Sequence, residues 1–531
     1  MPSADVTDDE DSSAPWTRTP SRKRPKLRLA RPLPDAIQVT LAQRLYIARA
    51  GLPPALLNRM KRLAAFQNPE FYKRQGMRLS TAGTPRIICC AEDLPEHLAL
   101  PRGCLAELEE LAAEHGIPVR TDDKRHDGAR VEVVFGGKLT PLQEEAVEAL
   151  FAHDIGVLVA PPGVGKTVIG TALAARRGCN TLVLVHRLPL LEQWRAQLAL
   201  FLGIDPKRVG QIGGGKRQPN GRLDVAMLQT LVRGDKVDDI VAEYGQVIVD
   251  ECHHLPAVSF ERVLAEVRGR FLVGLTATPR RRDGHHPITA MQLGPVRFEV
   301  SAKNQAAERP FRHKLIVRET GFHLAPEKAK ASIAEIYGEL VHDQRRNELI
   351  LDDIIATINE GRSPIVLTER KEHITFFAER LDLHSRNVVV LTGGMGIRQR
   401  REIAAGMAAL KPNESRVVIA TGRFIGEGFD DARLDTLFLT LPVSWAGVLT
   451  QYAGRLHRLH PHKEEVRIFD YVDEQVPMLR RMFEKRLRGY RAIGYEQGEV
   501  PRGFELLADP DYLFDEGRDE RYEEDVDDEI A

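Results

Sequence analysis

Two consecutive α/β units, each built on a parallel sheet covered by helices, are the fold class this sequence predicts. Three observations predict it. Residues 136–300 carry short β-rich apolar runs (Val157-Leu158-Val159, Leu182-Val183-Leu184-Val185, Val247-Ile248-Val249 and Phe271-Leu272-Val273) separated by helix-compatible stretches. Residues 345–475 repeat the alternation with Ile365-Val366-Leu367, Val388-Val389-Val390-Leu391, Val417-Val418-Ile419 and Leu437-Phe438-Leu439. Short continuous apolar runs mark strands buried on both faces, the condition of a parallel sheet between helical layers. Only the first unit contains a glycine-rich phosphate loop, so the two units differ in chemistry.

Length and composition fit this plan. A chain of 531 residues exceeds one core, and about 150 residues per domain gives roughly three or four units. Hydrophobic content of 43% and charged content of 28% are ordinary for a globular protein. The formal net charge of −1 averages opposed ends: residues 17–31 hold seven Lys/Arg and no acid, and residues 509–529 hold twelve Asp/Glu and two Arg. Such blocks read as solvated tails; the basic one is also a candidate arm for phosphates. Five cysteines (Cys89, Cys90, Cys104, Cys179, Cys252) form no CxxC pair, which favours a reducing compartment. No run of about 18 apolar residues occurs, so a cytoplasmic protein without membrane contact is expected.

The chain therefore divides into a disordered arm (1–35), a small accessory domain with possible nucleic-acid contact (36–135), a first lobe (136–300) and a connector with its own helix (301–344). A second lobe (345–475), a basic amphipathic helix (476–505) and an acidic tail (506–531) complete it. The helix carries Met478, Leu479, Met482, Phe483 and Leu487 on one side and suits lobe packing or, less readily, a nucleic-acid clamp. Protein partners would meet the acidic tail or the accessory domain. The oligomeric state is left open, a monomer being compatible with this organisation.

The strand Ile155–Val159 runs into Ala160-Pro161-Pro162-Gly163-Val164-Gly165-Lys166-Thr167, ahead of a helix-compatible segment. Glycines let backbone N–H groups wrap phosphate oxygens, and the helix N-terminus adds partial positive charge. Lys166 suits the β- and γ-phosphates of ATP, and Thr167 suits Mg²⁺. Gly213-Gly214-Gly215-Lys216 mimics such a loop, but no Ser/Thr and helix follow, so a surface hairpin is expected.

Val247-Ile248-Val249 ends in Asp250-Glu251-Cys252-His253-His254. Acids at the carboxyl end of a parallel strand point into the ligand crevice. Asp250 suits an outer contact to Mg²⁺, and Glu251 suits orientation of the attacking water. Adjacent Cys252, His253 and His254 do not easily supply a tetrahedral zinc set. In the second unit, Gln451-Tyr-Ala-Gly454-Arg455-Leu-His-Arg458 places Arg455 and Arg458 on one helical face. Planar guanidinium groups bind phosphate oxygens in pairs and stay charged, so they suit a role as arginine fingers.

Taken together, these elements resemble superfamily 2 DExH helicases over residues 137–475. Leu139-Thr-Pro141-Leu-Gln143 looks like the segment whose glutamine reads the adenine edge. Ala160–Thr167 matches motif I. Val185-His186-Arg187 with Gln193-Trp194 looks like motif Ia, and Gln229-Thr230 is similar to the next backbone-contacting motif. Asp250–His253 matches motif II, Thr276-Ala277-Thr278-Pro279 motif III, Thr368-Glu369-Arg370 motif IV, Ala420 to Asp430 motif V, and Gln451–Arg458 motif VI. Asp250–His254 and Thr276–Gly284 resemble the branch of xeroderma-pigmentosum-B-type and type III restriction-like motors. Residues 60–137 resemble the small domain of related bacterial helicases, including those of TOTE-type conflict systems. Neither a primase-like nor a nuclease segment is expected.

The resemblance implies two tandem RecA-like lobes with ATP and Mg²⁺ held between them. It makes Lys166, Asp250, Glu251, Gln451, Arg455 and Arg458 catalytic. Gln143 and Pro161–Thr167 would bind nucleotide, and Thr167 and Asp250 would serve the metal. His253, Thr276, Thr278, Gly426, Gly428 and Asp430 would couple the two sites. His186, Arg187, Gln229, Thr230, Arg370, Thr392 and Gly393 would meet nucleic acid, DNA before RNA, at its sugar-phosphate backbone. The expected activity is an ATP-dependent helicase or translocase moving 3′ to 5′. Alternatives are a double-strand translocase that never unwinds and an ATP-switched nucleic-acid-binding scaffold.

Overall fold

The computed structural model describes residues 33–497 apart from 235, 255–256, 279–283, 302–308, 329–330, 386, 393–394, 396, 412–413, 423–430, 444–445, 459 and 462. The basic arm to residue 32 and the acidic tail lie outside the described residues, as do Gly393, Gly426, Gly428 and Asp430.

A five-stranded sheet opens the described chain, in the order Glu92–Asp93, His97–Leu100, Leu45–Ala48, Ile37–Leu41, Val119–Asp123. Ile37, Val39 and Leu41 alternate inward, as one half-buried face requires. Leu56 and Met60 of the helix Pro54–Leu63 and Leu108 and Ala112 of Leu105–Glu114 share its core. That core continues into Val157, Val159, Leu182, Leu184, Val247 and Val249 of the next sheet. Arg102 is buried at this junction and donates to the Gly269 carbonyl at 2.7 Å. At Gly103 a Cβ would stand 2.2 Å from the Ala290 carbonyl oxygen, so only glycine permits the approach. The small sheet is thus packed into the first lobe.

Eight strands build the first lobe's sheet, in the order Lys216–Gln218, Gly210–Gly213, Leu223–Met227, Thr181–Val185, Gln246–Asp250, Phe271–Thr276, Ile155–Val159, Val296–Glu299. All neighbours run parallel except the outer hairpin strand Lys216–Gln218. Leu158, Val183, Ile248 and Val273 face a second core with Ile169, Leu173, Trp194 and Leu198. Alternate residues of each apolar run therefore serve opposite helical layers. The triple glycine closes the expected hairpin, with φ of 125°, 63° and 80° at Gly213, Gly214 and Gly215.

The second sheet is wholly parallel, in the order Val388–Leu391, Val417–Ala420, Pro364–Leu367, Thr436–Leu439, Glu465–Val472, Arg312–Glu319, Glu496–Gln497. Two of its strands depart from the sequence-based plan. The connector supplies Arg312–Glu319, whose His313, Leu315 and Val317 are buried on one face, Ile316 packs on the other, and Arg312, Lys314 and Arg318 are exposed. The C-terminal helix spans Pro477–Ala492 and does not reach 505. Gly494, at φ 82°, turns the chain, and buried Ile493 and Tyr495 lead it back as the edge strand. Leu479, Met482, Phe483 and Leu487 of this helix are buried, so its apolar face packs on the lobe. Among the described residues, no helix is long and apolar enough to cross a membrane.

Candidate active site

The phosphate loop follows from strand Ile155–Val159 and ends at helix Lys166–Arg177. Gly163 and Gly165 adopt φ of 93° and 91°, which L side chains rarely tolerate. The Ala160 N–H donates to the Thr276 carbonyl at 2.9 Å, pinning the loop to the strand that carries Thr276. Gln143 caps its own helix with Thr140, and its Nε2 donates to the Val164 carbonyl at 2.8 Å. One end of this amide thus caps its own helix and the other holds the loop beside the place where the resemblance puts adenine.

Lys166 Nζ lies 2.9 Å from Glu251 Oε1 and 3.3 Å from the Ala160 carbonyl. Glu251 has φ 47°, in the left-handed region. A non-glycine residue there costs on the order of 1–2 kcal/mol, and such geometry gathers at functional sites. The turn swings the carboxylate toward Lys166. Asp250 is buried; its Oδ2 accepts the Trp194 indole N–H at 2.7 Å and its Oδ1 accepts the Glu251 N–H at 3.0 Å. Burial, with Glu251 beside it, pushes the Asp250 pKa up against the lowering pull of Lys166 and Trp194.

His253 Nδ1 meets Thr276 Oγ1 at 2.7 Å and stands 3.4 Å from Glu251 Oε2. Thr276 Oγ1 donates to the Thr278 carbonyl at 2.7 Å, so the His253 nitrogen facing it is the N–H donor. Three of the predicted coupling residues are thereby joined to Glu251 in one chain. His186 and Arg187 follow strand Thr181–Val185, and Gln229 Nε2 donates to the His186 carbonyl at 3.0 Å. Gln229 is exposed and Thr230 half-buried on the short helix beside them. In the second lobe, Arg370 donates to the Ala334 carbonyl at 3.2 Å, and Thr392 follows strand Val388–Leu391.

The helix Ala446–Leu456 brings motif VI to the phosphate loop. A Cβ on Gly454 would lie 2.3 Å from the Pro162 Cβ, and one on Gly163 would lie 3.7 Å from the His457 Cβ. Gln451, Arg455 and Arg458 are half-buried on this helix and its end. Lys463 donates to the Leu456 and Arg458 carbonyls at 2.8 and 2.9 Å, capping that end. Sequence reasoning passed over Arg309, which comes within 4.0 Å of a Gly163 Cβ and meets His313 Nε2 at 3.3 Å. His313, His457 and Tyr495 stack edge-on beside it, and burial lowers both histidine pKa values, His313 to about 4. Three aromatic groups from segments so far apart leave no signal of contact in a single sequence.

The donor set fits a hard divalent cation, since Asp250, Glu251 and Thr167 offer oxygen ligands beside a phosphate cradle. Cys252, by contrast, is buried in the apolar core against Gly274.

A sequence profile described as "Type III restriction enzyme, res subunit" matches residues 136–281. A probable helicase of Escherichia phage T5 is 26% identical over 356 residues, covering 67% of this chain and 74% of that protein. The DNA 3′-5′ helicase XPB of Mycobacterium tuberculosis is 30% identical over 179 residues, covering 33% of this chain and 32% of its own. The chain is therefore similar to ResIII-type and XPB-like helicases of superfamily 2, most specifically over its first lobe. It is an ATP-hydrolysing enzyme of the helicase type. The crystal structure of T4 UvsW aligns over 88% of this helicase and 99% of its own chain, at 16% identity and a TM-score of 0.41, a likeness too loose to bear on function.

Proposed function

We propose that this helicase couples ATP hydrolysis to movement along DNA, 3′ to 5′, with separation of strands. The observation that carries the reading is the docking of motif VI on the phosphate loop, with Gly454 against Pro162, opposite a Lys166–Glu251–Asp250 cluster. Lys166 would hold the β- and γ-phosphates, and Gln143 would keep the loop in shape or turn to the adenine. Glu251 would orient the attacking water and take its proton. Thr167 and Asp250 would hold Mg²⁺, which supplies charge neutralisation on the phosphate oxygens when bound. Arg455 and Arg458, with Gln451, would stabilise the charge that develops in the transition state.

Closure of the lobes on ATP and their opening after hydrolysis would alternate two grips on the sugar-phosphate backbone. His186, Arg187, Gln229 and Thr230 form the first grip, and Arg370, Thr392 and Gly393 the second. His253, Thr276 and Thr278, with Gly426, Gly428 and Asp430, would pass the change between the sites. A cytoplasmic monomer, with protein contacts through the acidic tail or the small N-terminal sheet, completes the reading.

DNA is favoured because relatives from Mycobacterium tuberculosis and Sulfurisphaera tokodaii are named DNA 3′-5′ helicase and translocase. A mimivirus relative, 22% identical over 407 residues, is named a putative ATP-dependent RNA helicase, which keeps RNA in the test. ATPase rates against single-stranded, double-stranded and forked DNA and RNA decide between them. Forked or single-stranded DNA should stimulate most, with affinity falling steeply as salt rises. Strand displacement measured beside triplex displacement separates an unwinding enzyme from a double-strand translocase; triplex displacement alone would replace the unwinding reading. Equal rates with and without every nucleic acid would leave an ATP-switched scaffold.

A further inference from the structure

We propose that Trp194 is a positioning residue for hydrolysis, its indole N–H holding the Asp250 carboxylate in the orientation that serves Mg²⁺. The inference rests on the reading of Asp250 as a metal-side acid. Its observations are separate from that reading. Trp194 is fully buried, and its Nε1 donates to Asp250 Oδ2 at 2.7 Å. An indole N–H is a donor only, and burial of the whole ring keeps it from turning to another partner. A hydroxyl or amide there could turn away; this ring cannot.

The surroundings are shaped to admit the ring. Gly170 lies one turn beyond Lys166 on the helix that follows the phosphate loop. A Cβ on Gly170 would stand 2.7 Å from Trp194 Cη2 and 3.3 Å from Leu275 Cδ1. The indole therefore fills the notch that the missing side chain leaves, wedged between the nucleotide-binding helix and the sheet. Its far edge is fixed by Gly170 and its N–H by Asp250, so ring and carboxylate have one mutual arrangement.

The bonds also divide the carboxylate's capacity. Oδ2 takes the indole and Oδ1 takes the Glu251 N–H at 3.0 Å. A carboxylate oxygen accepts about two hydrogen bonds, so each retains one direction for the metal or its water. Groups that orient a metal-serving acid in this way alter metal affinity by about 10–100-fold when removed.

The test replaces Trp194 by β-(3-benzothienyl)alanine, which keeps the ring's shape and puts sulfur where the N–H was. Trp194→Phe and Gly170→Ala serve as second variants, the latter pushing the ring while leaving its N–H. Mn²⁺ binding to the full chain with a non-hydrolysable ATP analogue, followed by electron paramagnetic resonance, gives a readout apart from turnover. The isostere should weaken Mn²⁺ binding, and raise the Mg²⁺ concentration for half-maximal ATPase, by about tenfold or more. At saturating Mg²⁺ its KM for ATP should stay near that of the unaltered protein. Gly170→Ala should shift the Mg²⁺ requirement in the same direction. An isostere with unaltered Mn²⁺ binding and Mg²⁺ requirement overturns the proposal, because packing alone would then explain Trp194. Asp250→Ala separates the two ideas. If it too leaves Mn²⁺ binding unchanged, the metal-side reading of Asp250 fails and Trp194 has nothing to position. If it abolishes binding while the isostere is neutral, only the Trp194 proposal fails.

Discussion

The two lobes bury their charges for different ends. In the first, buried and half-buried polar groups gather at the carboxyl ends of adjacent strands: Asp250, Glu251 and Thr276, with Lys166, Trp194 and His253 bonded to them. In the second, Asp470 is locked by Arg486 through two bonds of 2.7 and 2.8 Å and by Tyr490 at 2.7 Å, under the C-terminal helix. Arg346 and Asp473 form another such pair at 2.9 Å, both almost wholly buried. The first arrangement leaves one side open to the cleft; the second is closed on every side. Where the lobes meet, the helix of the second closes on the phosphate loop at Gly454, whose missing side chain makes room for Pro162. A hydrolytic centre whose hydrogen bonds are wired within one lobe can keep its arrangement when the other lobe moves.

The sharpest way to break this comparison is to remove the wiring. Lys166→Ala and Glu251→Gln should each reduce ATP turnover by about a thousandfold or more, as losing a principal phosphate or water contact does. Glu251→Gln should still bind a fluorescent ATP analogue, and neither variant should lower the unfolding midpoint of the second lobe. Wild-type hydrolysis in Glu251→Gln would return that residue to a structural part. Next in size is Asp470→Ala, which leaves Arg486 buried without its carboxylate. Breaking a buried pair costs about 3–5 kcal/mol, read as a shift in urea unfolding. A shift below about 1 kcal/mol, the ordinary worth of an exposed pair, would mean the two lobes use their charges alike.

Smaller effects belong to the clamp. Gly454→Ala forces a Cβ into Pro162 and should lower kcat by about a hundredfold, the order of one lost transition-state donor. Arg458→Ala should lower kcat more than it weakens ATP binding, the signature of a contact made in the transition state. Equal turnover in Arg458→Ala would make that guanidinium a solvated side chain.

Continuous apolar runs such as Leu182–Val185 declare strands buried on both faces, so the central strands of both sheets were legible in the sequence. Arg312–Glu319 was not, because only His313, Leu315 and Val317 are buried and the alternation resembles a half-exposed connector. The end of the C-terminal helix was missed because Gly494 alone carries the turn. At the site, Lys166 and Glu251 lie far apart in sequence yet meet at 2.9 Å; their places after two strands put both on one side of the nucleotide, and the contact itself was not legible. The Trp194–Asp250 bond was not foretold, since an aromatic residue at a helical apolar position reads as core. Nor was the second duty of Gln143, because a capping amide and a loop-holding amide look the same in a single sequence. Arg309, His313 and Tyr495 come from the connector and the chain's return strand, whose places only the fold reveals.

The smallest expected effect concerns how the N-terminal sheet is fastened. Arg125 Nη2 lies 2.8 Å from Asp123 on the last strand of that sheet and 2.8 Å from Asp154 beside the phosphate-loop strand. The hydrogen bonds from Arg125 hold the Asp123 pKa down, to about 2, with Arg270 adding a weaker pull. A depressed carboxylate contributes stability that is present above its unfolded pKa, near 4, and is lost as pH falls toward 2. Both carboxylates are partly exposed, so the contribution should be about 1 kcal/mol or less after screening by water and salt. Asp123→Asn should therefore lower stability slightly at neutral pH and flatten its pH dependence between about 4 and 2. High salt should shrink the difference between the two proteins. An unchanged acid profile would show that Arg102, through its bond to the Gly269 carbonyl, and the shared apolar core fasten the sheet without help from this ion pair.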